Sequence, residues 1–236
     1  MKVAVCFWGI ARSLNHTLAS IQECIFKPLQ ESGISFDILL HTYIVNNIYE
    51  NKRAKETCIQ LDNDSWKQLN PHKYIIENQE EIYEQLNVLK YRNKGDPWYS
   101  NFQTFDNHIL ALWSLKQVTS LYDVDQYDYI IYVRPDVKYF KKITEIDFMN
   151  LEENVALLPN FHTYPINDRF CIAKPAAAKK YGNRFDFAYE FSLQNQLHSE
   201  RFLNWTLEKH SIKYINVHFP FHRVRANGVE IDFDVK

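Results

Sequence analysis

The sequence predicts an α/β fold with a mostly parallel central sheet flanked by helices, and three observations carry that prediction. Apolar runs at residues 3–8, 36–40 and 129–133 lack polar alternation, as expected of strands covered on both faces. Segments of helical spacing, at 17–29 and 107–121, stand between them. The alternation of the two patterns favours one layered sandwich, and 236 residues suit a single domain over 1–236.

Residues 3–8, VAVCFW, form an unbroken apolar run closed by Gly9, which belongs mid-sheet. Leu18, Ile21, Ile25 and Leu29 then recur at helical spacing, with Gly33 as the stop. The strand at 36–40 ends in His41-Thr42-Tyr43, and the order strand, helix, strand predicts a right-handed parallel crossover. Residues 44–73 are polar and poorly periodic. A brief strand at 73–76 and a short helix at 80–89 follow, and 91–101, with Gly95 and Pro97, reads as a loop. Ile109, Leu112, Trp113, Leu115 and Leu121 make 107–121 the clearest helix. Beyond the strand at 129–133 come strands at 155–158 and 169–173, helices at 175–181 and 199–210, and a strand at 213–217. The tail from residue 219, FPFHRVRANGVEIDFDVK, is polar and only partly ordered by pattern.

Composition excludes some functions. With 27 Lys and Arg against 29 Asp and Glu, the net charge is -2, so no overall basic field exists to hold nucleic acid. Any phosphate-binding patch must be local. The four cysteines show no CxxC pair, which favours reduced structural thiols. No run approaches the length of a membrane span, and the N-terminus lacks a small-residue cleavage site, so a soluble cytoplasmic protein is expected. Neither GxGxxG, GxxxxGK[ST], GxSxG nor HExxH is present.

The informative segment is 127–139, YDYIIYVRPDVKY. Oxygen ligands suit Mg²⁺ or Mn²⁺, so a carboxylate at the carboxyl end of a buried strand is the device a metal-bridged diphosphate needs. Pro135 ends strand pairing and turns the chain, which predicts an exposed Asp136. An Arg-Asp pair capping a surface turn is the plainer reading of the same tripeptide.

This segment resembles the DxD region of GT-A glycosyltransferases, and its Arg-Pro-Asp form is similar to glycosyltransferase-like proteins of large DNA viruses. The resemblance implies a GT-A-like (Rossmann-like) domain that moves a sugar from a nucleoside diphosphate sugar to a hydroxyl of a glycan or glycoprotein. Arg134 stands where the motif's first Asp would be, leaving Asp136 alone to meet the metal while Arg134 neutralises phosphate. The exchange implies weak metal dependence. Replacement Asp136→Ala is expected to abolish transfer with the fold intact.

The resemblance extends to 3–12 and 167–170. It puts Gly9 and Arg12 against the nucleotide, although a turn glycine and a solvated charge explain them as well. His41, Thr42 and Tyr43 fall near the base or ribose, with Tyr43 as a stacking ring or a core residue. Asn167-Asp168-Arg169-Phe170 resembles the acceptor-facing segment and makes Asp168 a candidate general base, or an ordinary turn residue. Glu200, in a first turn with Ser199 as cap, is the second candidate base, or simply complements the helix dipole. His222 is the implied second metal ligand for Mn²⁺, and the adjoining Arg223 and Arg225 would hold the leaving diphosphate. Two readings compete: a non-catalytic nucleotide- or glycan-binding module on a degenerate glycosyltransferase fold, and a nucleotidyltransferase that releases pyrophosphate.

Overall fold

The structure is a computed structural model that describes residues 1–46 and 48–231. Its strands are β1 (Lys2–Trp8), β2 (Ser35–Ile44), β3 (Tyr49–Asn51), β4 (Glu56–Ile59), β5 (Lys73–Asn78), β6 (Tyr129–Val133), β7 (Val137–Tyr139), β8 (Val155–Pro159), β9 (Cys171–Ala173), β10 (Lys213–Val217), β11 (Phe221–Val224) and β12 (Glu230–Ile231). The helices are α1 (Leu14–Ile21), α2 (Lys27–Glu31), α3 (Gln79–Gln85), α4 (Gln103–Ser120), α5 (Pro175–Gly182), α6 (Ala188–Gln194) and α7 (Ser199–Lys209).

Seven strands form the central sheet in the order β10-β8-β9-β6-β1-β2-β5. All pairings are parallel except those of β9, which runs antiparallel to both β6 and β8. The unbroken apolar runs have a simple cause. Along β1, Val3, Val5 and Phe7 enter one core, against α1 and α2, while Ala4, Cys6 and Trp8 enter the other, under α4, α5 and α7. Tyr129, Ile131 and Val133 divide from Ile130 and Tyr132 in the same way. With both faces covered, these stretches of strand have no solvent-facing position for a polar residue. Each such side chain contributes roughly 1.5–3 kcal/mol through burial.

The pairing aligns the strand ends. Trp8 lies opposite His41, and Phe7 lies opposite Val133. The residues that follow β1, β2 and β6 therefore share the sheet's carboxyl edge, where ligands collect in open α/β sheets.

Three local departures matter there. The expected helix at 17–29 is a longer rod, α1 and α2 joined by a π-turn at Gln22–Phe26. That wider turn lies just ahead of Pro28, which has no N–H to bond one turn back. The aperiodic stretch after β2 contains the antiparallel hairpin β3–β4, turned through Lys55 at φ 56°. Beyond residue 219 the chain forms β11 and β12, which join β7 in a three-stranded antiparallel sheet. Residues 232–236 of that tail lie outside the described residues. No helix among the described residues is long and apolar enough to cross a membrane.

Candidate active site

A cavity of about 680 Å³ opens on the carboxyl edge of β1, β2 and β6, a volume typical of small-molecule sites. Its floor includes Trp8, Gly9, His108 and Arg184; the β3–β4 hairpin forms one wall and the first turn of α7 another. Seven arginines line it, Arg12, Arg53, Arg134, Arg169, Arg184, Arg223 and Arg225, against three carboxylates, Asp136, Asp168 and Glu200.

The turn after β6 is pinned from three directions. Thr17 Oγ1 donates to the Pro135 carbonyl at 2.6 Å, the Val224 N–H donates to the Asp136 carbonyl at 2.9 Å, and Ser13 Oγ donates to the Val224 carbonyl at 2.9 Å. These bonds draw Asp136 inward, so the expectation of an exposed carboxylate is corrected: Asp136 is buried, 1% exposed. Arg134 grips it with two N–H groups, Nε at 2.7 Å and Nη2 at 2.8 Å, and Arg12 Nη2 donates at 2.9 Å. Burial alone would raise its proton affinity, but Arg134 and Arg12 hold the carboxyl far below the usual range. Arg12 is further held by the Tyr49 hydroxyl and by buried Glu56 at 3.4 Å, and Arg134 lies over the Trp8 ring at 4.9 Å. Arg12 is thus an internal ion-pair partner and not a solvated charge.

Arg223 and Arg225 complete this group. Burial, then the proximity of Arg169 and Arg225, pushes the Arg223 guanidinium down to about 8. A guanidinium keeps its proton in proteins, so this crowding expresses a demand for anionic charge. Seven buried nitrogens of the lining, Trp8 Nε1, Arg12 Nε, His108 Nε2, Arg184 Nε and Nη2, His198 Nδ1 and Arg225 Nε, make no hydrogen bond among the described residues. Buried polar atoms are seldom left so, and a ligand rich in acceptor oxygens would satisfy them.

On the opposite side, Asp168 and Glu200 face each other's fields. Burial would raise both. Arg169 and Arg184 hold Asp168 below its ordinary value, whereas burial and the charge of Asp168 push Glu200 up to about 8. Arg169 Nη2 lies 3.8 Å and His198 Nδ1 3.7 Å from the Glu200 carboxylate. Two neighbouring carboxyls with separated proton affinities are the arrangement that assigns one to the ionised and one to the proton-exchanging role. Helix α7 begins at Ser199 with His198 as its N-cap, so Ser199 is not the cap.

Other expected residues sit differently. Gly9 lines the cavity at φ +95°, but its N–H donates to Ser114 Oγ at 2.7 Å, and a Cβ there would be in ordinary contact with the Arg134 guanidinium, at 3.7 Å. His41 and Thr42 are buried behind the cavity. His41 bonds Ser114 at 2.7 Å and Glu77 at 2.9 Å, and Thr42 Oγ1 accepts from the Ala11 N–H at 3.1 Å. Tyr43 reaches the lining, yet it is 3% exposed and its hydroxyl donates to the Leu110 carbonyl at 2.7 Å. It is a core ring with one edge on the site.

His222 is a correction. Neighbours on a strand face opposite sides, so Arg223 turns to the cavity while His222 pairs with Glu230 at 3.3 Å and meets the Phe140 ring at 4.5 Å. Its ring is thus directed to Glu230 and Phe140, away from the face on which Arg223 lines the cavity. Both Asp136 oxygens accept from guanidinium N–H groups, and among the described residues no three His, Cys, Asp or Glu side chains gather as a cation site. The donor set therefore does not fit a divalent metal.

Several lining residues carry no sequence signal of their own. Arg53 lies in the aperiodic hairpin, Arg184 follows α5, and Trp98 and His198 stack at 5.2 Å in loops. Asp96 organises the Trp98 loop by accepting from the N–H groups of Trp98, Ser100 and Phe102. That Asx-type pattern in GDPWYS was the available clue.

No protein-family model and no curated sequence matches the chain. Among solved structures it is similar to mouse xyloside xylosyltransferase 1 in its apo form (13% identity, TM-score 0.45, covering 92% of this chain and 85% of that one). It is likewise similar to a glycosyltransferase involved in glycosylation of the major capsid of PBCV-1 (13%, 0.44, 92% and 81%). A third is galactosyltransferase LgtC in complex with donor and acceptor sugar analogs (13%, 0.44, 92% and 73%).

Proposed function

We propose that this chain transfers a sugar from a nucleoside diphosphate donor to a hydroxyl acceptor and binds the diphosphate through arginines instead of a metal ion. The supporting observation is the arginine group around buried Asp136, placed beside a carboxyl pair of split proton affinity in one cavity. Arg134, Arg223 and Arg225 face the diphosphate, while Asp136 fixes Arg134 and Arg12 in place. Fixed guanidinium charges in a partly dry cleft stabilise the negative charge that builds on a departing phosphate without rearranging.

In the reaction, the acceptor oxygen attacks the anomeric carbon. The bond from that carbon to the phosphate oxygen breaks, and its electron pair leaves with the nucleoside diphosphate. Glu200, whose affinity for protons lies near neutrality, takes the hydroxyl proton. Asp168, held ionised by Arg169 and Arg184, stabilises positive charge on the sugar ring.

The test incubates the protein with UDP-, GDP- and CDP-sugars, with and without EDTA, and follows nucleoside diphosphate release. Release that persists in EDTA and rises with a sugar acceptor supports the proposal. Donor binding without turnover points to a binding module, and pyrophosphate release to a nucleotidyltransferase.

A further inference from the structure

The cavity holds more positive charge than a donor diphosphate uses, and the surplus is displaced towards the carboxyl pair. Seven arginines oppose three carboxylates in the lining, or four if Glu56 behind Arg12 is counted. A sugar-linked diphosphate brings one negative charge per phosphate, which leaves cationic charge over. Six of the arginines divide by the carboxylate they act on, while Arg184 acts on Asp168 and Arg223 also reaches the field of Glu200. Arg12, Arg134, Arg223 and Arg225 interact with Asp136. Arg53 and Arg169 interact with one another and with Glu200, on the side where an acceptor hydroxyl must meet its base.

Aromatic surface accompanies the second group. Trp98 stacks on His198 at 5.2 Å, His198 meets Tyr164 at 5.3 Å, and all three line the cavity. Tyr164 is 54% exposed, and Arg201 lies over its ring at 4.7 Å, adding a further cation at the rim. An aromatic wall beside cations matches a molecule with one flat hydrophobic face and one anionic group.

Resting on the transfer reading above, we infer that the acceptor is an acidic saccharide: its pyranose face lies on the Trp98–His198–Tyr164 wall, and its carboxylate, sulfate or phosphate meets Arg53 and Arg169. The anion replaces water around guanidinium groups that already crowd each other, so binding relieves repulsion as well as forming charge-assisted hydrogen bonds. Arg53 sits on the exposed turn of the hairpin, where a substitution leaves the core untouched.

Equilibrium binding tests this separately from turnover. The probes are p-nitrophenyl glycosides in matched pairs, the glucuronide against the glucoside and the galacturonide against the galactoside, with the 6-sulfate and 6-phosphate of each neutral member. Titrations run with and without saturating UDP or GDP. The expected result is at least about tenfold tighter binding of a charged member over its neutral partner. Arg53→Gln should remove most of that preference, and Arg53→Lys should retain part of it. Equal binding of charged and neutral members, including no detectable binding of either, overturns the inference, as does a preference unchanged in Arg53→Gln. Absence of donor turnover would instead overturn the transferase reading and leave the binding comparison standing.

Discussion

Removing the Asp136 carboxylate leaves Arg12 and Arg134 turned towards the same buried point, with Arg223 and Arg225 near by. Breaking a buried pair from one side costs about 3–5 kcal/mol. Asp136→Asn should therefore lose stability on that scale in urea unfolding, together with donor binding, and Asp136→Ala should lose at least as much. A variant as stable as the parent would show that the ion pairs carry no such weight. Glu200 gives a second prediction. Its carboxyl binds a proton more tightly in the fold than in the open chain, so its stabilising effect is complete below about 4.5 and is lost as pH rises through about 8. Thermal melts of Glu200→Gln should lack that decline and exceed the parent in alkaline buffer. Transfer by the same variant should fall about 10²–10⁴-fold, the range for a lost general base, and the parent's rate should climb through an ionisation near 8.

At the level of elements, α5 ends on a close approach to its neighbours. A Cβ at Gly182 would lie 2.0 Å from Thr119 Oγ1 and 2.4 Å from the Tyr132 hydroxyl. An alanine in a helix ordinarily gains up to about 1 kcal/mol over glycine. Here the overlap dominates, because both atoms belong to a buried hydrogen-bonded network with Tyr122. Gly182→Ala should destabilise by about 1–3 kcal/mol or more in chemical unfolding, and a neutral or stabilising result would contradict the packing of α5 on α4 and β6. The same contrast between core and site explains what the sequence revealed. Strands β1, β2, β6 and β8 were legible because burial on the sheet imposes continuous or regular apolar spacing. Hairpin β3–β4 and strand β11 were not, since Tyr49, Arg53 and Arg223 line the cavity and answer to a ligand instead of a period. Of the residues named from the sequence, Asp136, Asp168, Glu200, Arg223 and Arg225 do line the cavity. The inward pull on Asp136 could not be read, because it depends on Thr17 and Val224, far apart in the chain.

Over the whole molecule, a net charge of -2 conceals a strongly cationic cleft. Acidic residues elsewhere balance the chain, so long-range attraction of anions is weak and the local field of the arginines dominates binding. Such a field is screened over about 10 Å at 0.1 M salt. Donor affinity, read by calorimetry with UDP and a UDP-sugar, should fall severalfold between about 0.05 and 0.5 M NaCl. Metal coordination predicts a different pattern, in which EDTA removes binding at every salt concentration and Mn²⁺ restores it. Here both oxygens of Asp136 already serve Arg134 and Arg12, and His222 is directed to Glu230. Affinity in EDTA should therefore equal affinity in Mn²⁺ while both decline with salt. An EDTA-sensitive, salt-insensitive donor site would mean that Asp136 exchanges its arginines for a cation when the nucleotide arrives.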